Sequence, residues 1–147
     1  MNLASLITDN ITELLVKIIK FTQARHKILT ENITNIHSPG FVPEDLVVDE
    51  FSDLLNSAID EHIANRRLLL RDTKNIKFGI SGSFEVKPVV DKYARELLEE
   101  NRDEYIELQI NKLLENAINQ RVAAELLRQK QGMISLFKWR MAFSDRK

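Results

Sequence analysis

Apolar positions recur every three to four residues along the first third of the chain. Ile7, Ile11, Leu14, Ile18, Phe21, Arg25 and Ile28 fall at alternating spacings of four and three, and six of these seven are apolar. That is the seam of a helix that pairs with another helix. A neighbouring row runs Leu15, Ile19, Thr22, His26, Leu29, Ile33, Ile36. Together the two rows make a stripe broad enough for more than one neighbour. The spacing predicts a helix from about residue 3 to 36, ~50 Å long at ~1.5 Å per residue. Pro39-Gly40 ends it. The proline biases Ser38 away from the helical region, and Gly40 suits the positive φ of a type II turn.

The last third carries a second helical rhythm. Ile106, Ile110, Leu113, Ala117, Gln120, Ala124, Leu127, Gln131, Ile134, Lys138 and Met141 keep the four–three spacing, and eight of the eleven are apolar. Ile110, Leu113, Leu127 and Ile134 are therefore expected in the pairing seam with the first helix. At ~100° per residue, Val122, Leu126, Met133 and Phe137 fall on the opposite face. A helix apolar on two sides needs cover on both. This second face implies either a third helix or burial between subunits.

The middle is mixed. Phe51, Leu54, Leu55, Ala58, Ile59, His62 and Ile63 predict a shorter helix near 49–64. Beyond Arg66-Arg67, Ile76, Phe78 and Ile80 alternate with Lys77 and Gly79, a period of two that suggests a short strand pair or hairpin. The expected fold class is mainly α, with two long terminal helices in an antiparallel coiled-coil-like pair. The domain is single: an N-terminal helix over 1–37, a turn and variable middle over 38–101, and a C-terminal helix over 102–147.

Composition narrows the function classes. A chain of 147 residues is one domain's length and, when compact, buries roughly 68% of its unfolded surface. The 21 Lys and Arg against 22 Asp and Glu leave a net charge of −1, without the basic surplus of a dedicated nucleic-acid binder. Cysteine is absent, which removes disulfides and thiolate chemistry. No apolar run exceeds three residues, and the first cation is Lys17, so neither a spanning helix nor a secretory signal is expected.

Charge is segregated along the chain. Residues 44–61 carry seven acids and no Lys or Arg, whereas 66–77 and the tail from Arg128 are basic. These runs read either as solvated faces or as complementary ends that set subunit register.

The histidines His26, His37 and His62 make no metal-ligand spacing, and His26 is expected as a packing residue on the apolar stripe. Gly79-Ile80-Ser81-Gly82-Ser83 lacks the Gly-Lys-Ser/Thr ending of a phosphate loop. No catalytic, cofactor or metal site is expected, and no small-molecule substrate. Phe137 and Trp139 read either as an interface anchor or as ordinary helix packing.

The segment Asn32-Ile33-Thr34-Asn35-Ile36-His37-Ser38-Pro39-Gly40-Phe41 resembles the signature of bacterial flagellar rod and hook proteins. That pattern reads Asn-Ile-Ala-Asn, two variable positions, Thr-Pro-Gly-Tyr. Thr34, Ser38 and Phe41 are mild replacements within it. The resemblance covers about residues 3–64 and 101–141. It departs from the family where the C-terminal helix begins: Tyr105 and Gln109 stand where many members carry acids.

The resemblance implies a structural role. Such proteins pair their terminal helices and pack into a tube around an export channel. The signature turn would comprise Asn32, Asn35, Ser38, Pro39, Gly40 and Phe41. The expected partners are the chain itself, other flagellar rod proteins, the adapter to the membrane ring and the flagellar type III export apparatus. The expected location is the periplasm-spanning rod of the basal body, reached without a cleavable signal. The signature amides Asn32 and Asn35 lie about one turn apart, where they either satisfy carbonyls at the helix end or are simply solvated. The alternative functional readings are a cytoplasmic coiled-coil adaptor or export chaperone that does not polymerise, and a small helical enzyme.

Overall fold

The structure, a computed structural model, describes the backbone of residues 3–79 and 83–144, and side chains over 10–79 and 83–132. Among the described residues the order is α1 (Leu3–Thr34), β1 (Glu44–Asp45), α2 (Val48–Asn65), β2 (Ile76–Phe78), β3 (Phe84–Val86), β4 (Val89–Val90), α3 (Lys92–Glu100) and α4 (Arg102–Ser144). The chain is mainly helical, with small strand pairs in the middle.

The two long helices pair antiparallel. Asn32 near the end of α1 meets Gln109 near the start of α4, and the Asn116 amide donates to the Thr22 carbonyl at 2.8 Å one level further along. α4 faces α1 through Tyr105, Gln109, Asn116 and Ala123, all buried. That set is offset by one position from the row of largest apolar content. Ile110, expected in the seam, is 45% exposed, and Ala117 and Ala124 are exposed. The apolar count picked the wrong frame because the true seam is filled with polar side chains that hydrogen-bond to α1. Leu113 and Leu127 are half-buried beside the seam. The side chains of Ile7, Met133, Ile134 and Phe137 lie outside the described residues.

The α1 stripe does serve two neighbours. Phe21 stacks on Phe51 of α2 with ring centroids 4.1 Å apart, in a buried cluster with Leu46 and Ile76. Ile18 and Ile28 pack against the same cluster. Leu14, Leu15 and Leu29 are buried, and Ile11 is half-buried. His26, expected as a packing residue, is exposed on α1, and His62 of α2 is the buried histidine instead.

The hairpin β2–β3 covers this cluster, with Ile76 opposite Val86 and Phe78 opposite Phe84. Phe84 leans on Phe51 at 6.0 Å, and the Lys17 ammonium sits 5.6 Å from the Phe84 ring centroid. A second pair, β1–β4, joins Glu44 to Val90 and Asp45 to Val89, so the two ends of the middle segment meet.

α3 has a full set of local signals. The Asp91 carboxylate caps its start by accepting from the Ala94 amide. Asn101 ends it in an extended conformation, its amide donating to the Leu97 carbonyl. The Asn101 side chain then caps α4 by accepting from the Glu104 amide. One residue therefore closes one helix and opens the next. Ala94 and Leu97 pack on Tyr105 in a second buried cluster.

Candidate functional site

The chain leaves α1 through a junction in which nearly every signature residue has a defined task. Ser38 to Phe41 form a tight turn, with the Phe41 amide donating to the Ser38 carbonyl at 3.2 Å. Pro39 occupies its second position. Gly40 occupies the third with φ +72°, where an L side chain is strained even though the space around it is open. Asn35 donates from its side chain to the Glu31 carbonyl at 3.0 Å, a carbonyl that also accepts from the Asn35 backbone amide, and its side-chain oxygen accepts from the Ser38 hydroxyl. Phe41 is half-buried.

Asn32 acts differently from Asn35. It is 2% exposed and faces the seam. Its Nδ2 donates to the Glu44 carbonyl at 2.8 Å and to Gln109 Oε1 at 3.0 Å, while its Oδ1 accepts from the Glu44 amide at 3.2 Å. The side chain thus pairs with the β1 backbone as another strand would, and ties it to α4. The Tyr105 hydroxyl donates to the Asn32 carbonyl at 2.8 Å. From α4, Tyr105 and Gln109 both bond Asn32, one at its carbonyl and the other at its side chain. Burial and the nearby Asp91 charge push the Tyr105 phenol up to about 12.

Below this clamp lies a chain of alternating charges that the sequence reading did not identify. Arg25 binds Asp45 through two nitrogens at 2.9 and 3.1 Å. Lys112 bridges Asp45 at 2.9 Å and Asp91 at 2.6 Å. Arg25 comes from α1, Asp45 from β1, Lys112 from α4, and Asp91 caps α3. Burial raises the Asp45 carboxyl, but the Arg25 and Lys112 hydrogen bonds and charges outweigh it and hold it below its ordinary value. Burial lowers the Lys112 ammonium, and its bonds to Asp91 and Asp45 reverse that and raise it. The signal available in the sequence was Arg25, a lone charge in an apolar seam.

Along the other edge of α1, a groove of about 340 Å³ runs between α2 and α4. Val48, Phe51 and Leu55 form one wall, Val122 and Leu126 the other, with Ile18 and Phe21 in the floor. Val122 and Leu126 are 53% and 46% exposed. They continue a row spaced by four, Ile110, Leu114, Ile118, Val122, Leu126, whose members are all exposed. The row winds slowly round α4, so only its C-terminal part reaches the groove.

These arrangements join elements and present an uncovered apolar face. Among the described residues no group of three or more His, Asp or Glu side chains is placed to hold a metal ion. Comparisons of the chain with protein-family models, with curated proteins and with solved structures gave no match.

Proposed function

We propose that the chain is a structural subunit of the bacterial flagellar rod, of the kind represented by the proximal-rod protein FlgB, acting by helix packing without a catalytic step. The observation that carries this reading is the junction after α1. Asn32, Asn35, Ser38, Pro39 and Gly40 each have a distinct structural task there, which gives a physical reason for the residues that resemble the rod signature. The half-exposed apolar row on α4 also supports it, since such a row needs a neighbour. In this reading Val122, Leu126, Met133 and Phe137 face adjoining subunits. The partners are other copies, further rod proteins and the adapter to the membrane ring, and the subunit reaches them through the flagellar type III export apparatus.

The test is genetic and biochemical. A tagged chain is expected in purified basal bodies. Deleting residues 1–20, which removes Ile7, Ile11, Leu14 and Ile18 from the seam, is expected to abolish both incorporation and swimming. Normal swimming after that deletion refutes the proposal. Recovery of the tagged chain only in the cytoplasm, in a discrete soluble complex, favours the non-polymerising adaptor or export chaperone.

A further inference from the structure

We infer that the exposed apolar row of α4 packs against the same row of a second copy of this chain, with the two helices parallel and in register. The inference deepens the assembly reading above and rests on it for its setting, but it names a contact that is tested separately. Ile110, Leu114, Ile118, Val122 and Leu126 are all exposed, and exposure peaks in the middle of the row, at Ile118. Gln109, Asn116 and Ala123 are buried in the seam with α1. At ~100° per residue, Ile118 lies about 140–180° round the helix from them. The middle of the row therefore points away from α1.

A row spaced by four is the ridge that interlocks with its like when two helices cross at about −50°. The charges beside the ridge decide the direction. Glu115 and Arg121 are both exposed, one three residues before Ile118 and the other three after it. That spacing places them ~60° to either side of Ile118. When two such helices run parallel, each flank of one meets the opposite flank of the other. Glu115 of each copy then faces Arg121 of the other, and the contact carries two ion pairs. Antiparallel helices bring like flanks together and set Glu115 against Glu115 and Arg121 against Arg121. Further along the Arg121 flank, Glu125 is held by Arg128 at 2.6 Å. The other flanking residues, Asn111, Ala117 and Asn119, are exposed and uncharged. The charge pattern therefore selects a parallel second copy. Each copy uses the same surface, so the pair closes at two.

Sedimentation velocity on the full chain over a concentration series tests this. Five apolar side chains from each copy make a small interface, so a dimer that dissociates on dilution is expected. Circular dichroism of the dilute chain checks that each variant keeps its helix content. Ile118→Asp is expected to weaken dimerisation about tenfold or more. Glu115→Arg and Arg121→Glu each turn two attractions into two repulsions and are expected to weaken it about tenfold, and the chain carrying both is expected to recover most of the loss. The chain has no cysteine, so Val122→Cys reports direction. Parallel pairing brings the two copies of position 122 together, and mild oxidation is expected to give a disulfide-linked dimer. Antiparallel pairing sets them eight residues apart, ~12 Å along the interface at ~1.5 Å per residue, beyond a disulfide's reach. A chain that stays monomeric, a dimer indifferent to the single reversals, a double variant without recovery, or the absence of the disulfide-linked dimer overturns the inference. If the pairing fails while the chain still enters basal bodies, the pairing falls and the rod reading stands. If recovery and cross-link hold but the chain is absent from basal bodies, the pairing stands and the rod reading falls.

Discussion

Replacing Asn32 by leucine removes three hydrogen bonds while keeping nearly the same volume. The Glu44 amide and carbonyl lose their side-chain partner, and Gln109 loses the one bond its side-chain amide makes among the described residues. Glu44 is half-buried, so water recovers part of that loss, and the two backbone groups together cost about 1 kcal/mol. Gln109 is fully buried and its Nε2 already has no partner. Orphaning its Oε1 as well costs about 1–3 kcal/mol. The expected net loss for Asn32→Leu is about 2–4 kcal/mol. With an m-value of about 1–3 kcal/mol/M in urea, the unfolding midpoint falls by about 0.7–4 M and the slope stays unchanged. The double variant Asn32→Leu/Gln109→Leu removes both ends of the buried pair. It is therefore expected to lose at least about 1 kcal/mol less than the sum of the two single variants. A loss below about 0.5 kcal/mol for Asn32→Leu, or strict additivity in the double variant, refutes the clamp argument.

Gly40→Val is expected to cost about 1–3 kcal/mol by thermal unfolding, since φ +72° is strained for a β-branched residue. Gly79→Val is expected to cost less: its Cβ would meet the Ser83 hydroxyl, the rotatable end of an exposed side chain. Tyr105 is held protonated in the fold to about pH 12 against about 10 when unfolded, so its contribution is complete below pH 10 and is lost as pH rises from there to 12. In the Tyr93→Phe variant, ultraviolet difference titration is expected to show phenolate only near pH 12, and an onset near 10 contradicts the burial argument. Ala123→Asp is expected to lose about 3 kcal/mol or more by putting a charge into the seam. Ile118→Asp is expected to stay within about 0.5 kcal/mol, because that side chain is already 62% exposed, and urea titration of both variants distinguishes the faces.

What the sequence revealed was what repeats locally. The long helices follow from 3.6-residue periodicity sustained over many turns, and the turn after α1 follows from Pro39-Gly40. The hairpin was visible because Ile76 and Phe78 alternate with charge or glycine. The α1–α4 interface was misregistered for a physical reason. Its determinants are Asn32 and Gln109, 77 positions apart, and polar residues read as solvent-facing until their partners are known. α3 was missed because its nine residues are mostly charged or polar and bury only Ala94 and Leu97. The β1–β4 pair is two residues long, too short for any period to register. Of the candidate site, the signature turn was legible, whereas the Arg25–Asp45–Lys112–Asp91 chain required the fold to bring four elements together.

The β1–β4 ladder carries a topological consequence. The Asp91 amide donates to the Pro43 carbonyl at 3.0 Å, so the stretch between them leaves and re-enters the molecule at one place. Seen from the long helices, residues 46–88 are a loop closed at its neck, and the neck is stitched by contacts that do not depend on the loop's length. Within that loop α2 and the hairpin still lay Phe51 and Ile76 on Phe21 of α1, so the neck and this buried cluster together fix how the loop sits on the long helices. A change of length is therefore expected to be accommodated in the connection between α2 and β2, which belongs to neither the neck nor that cluster.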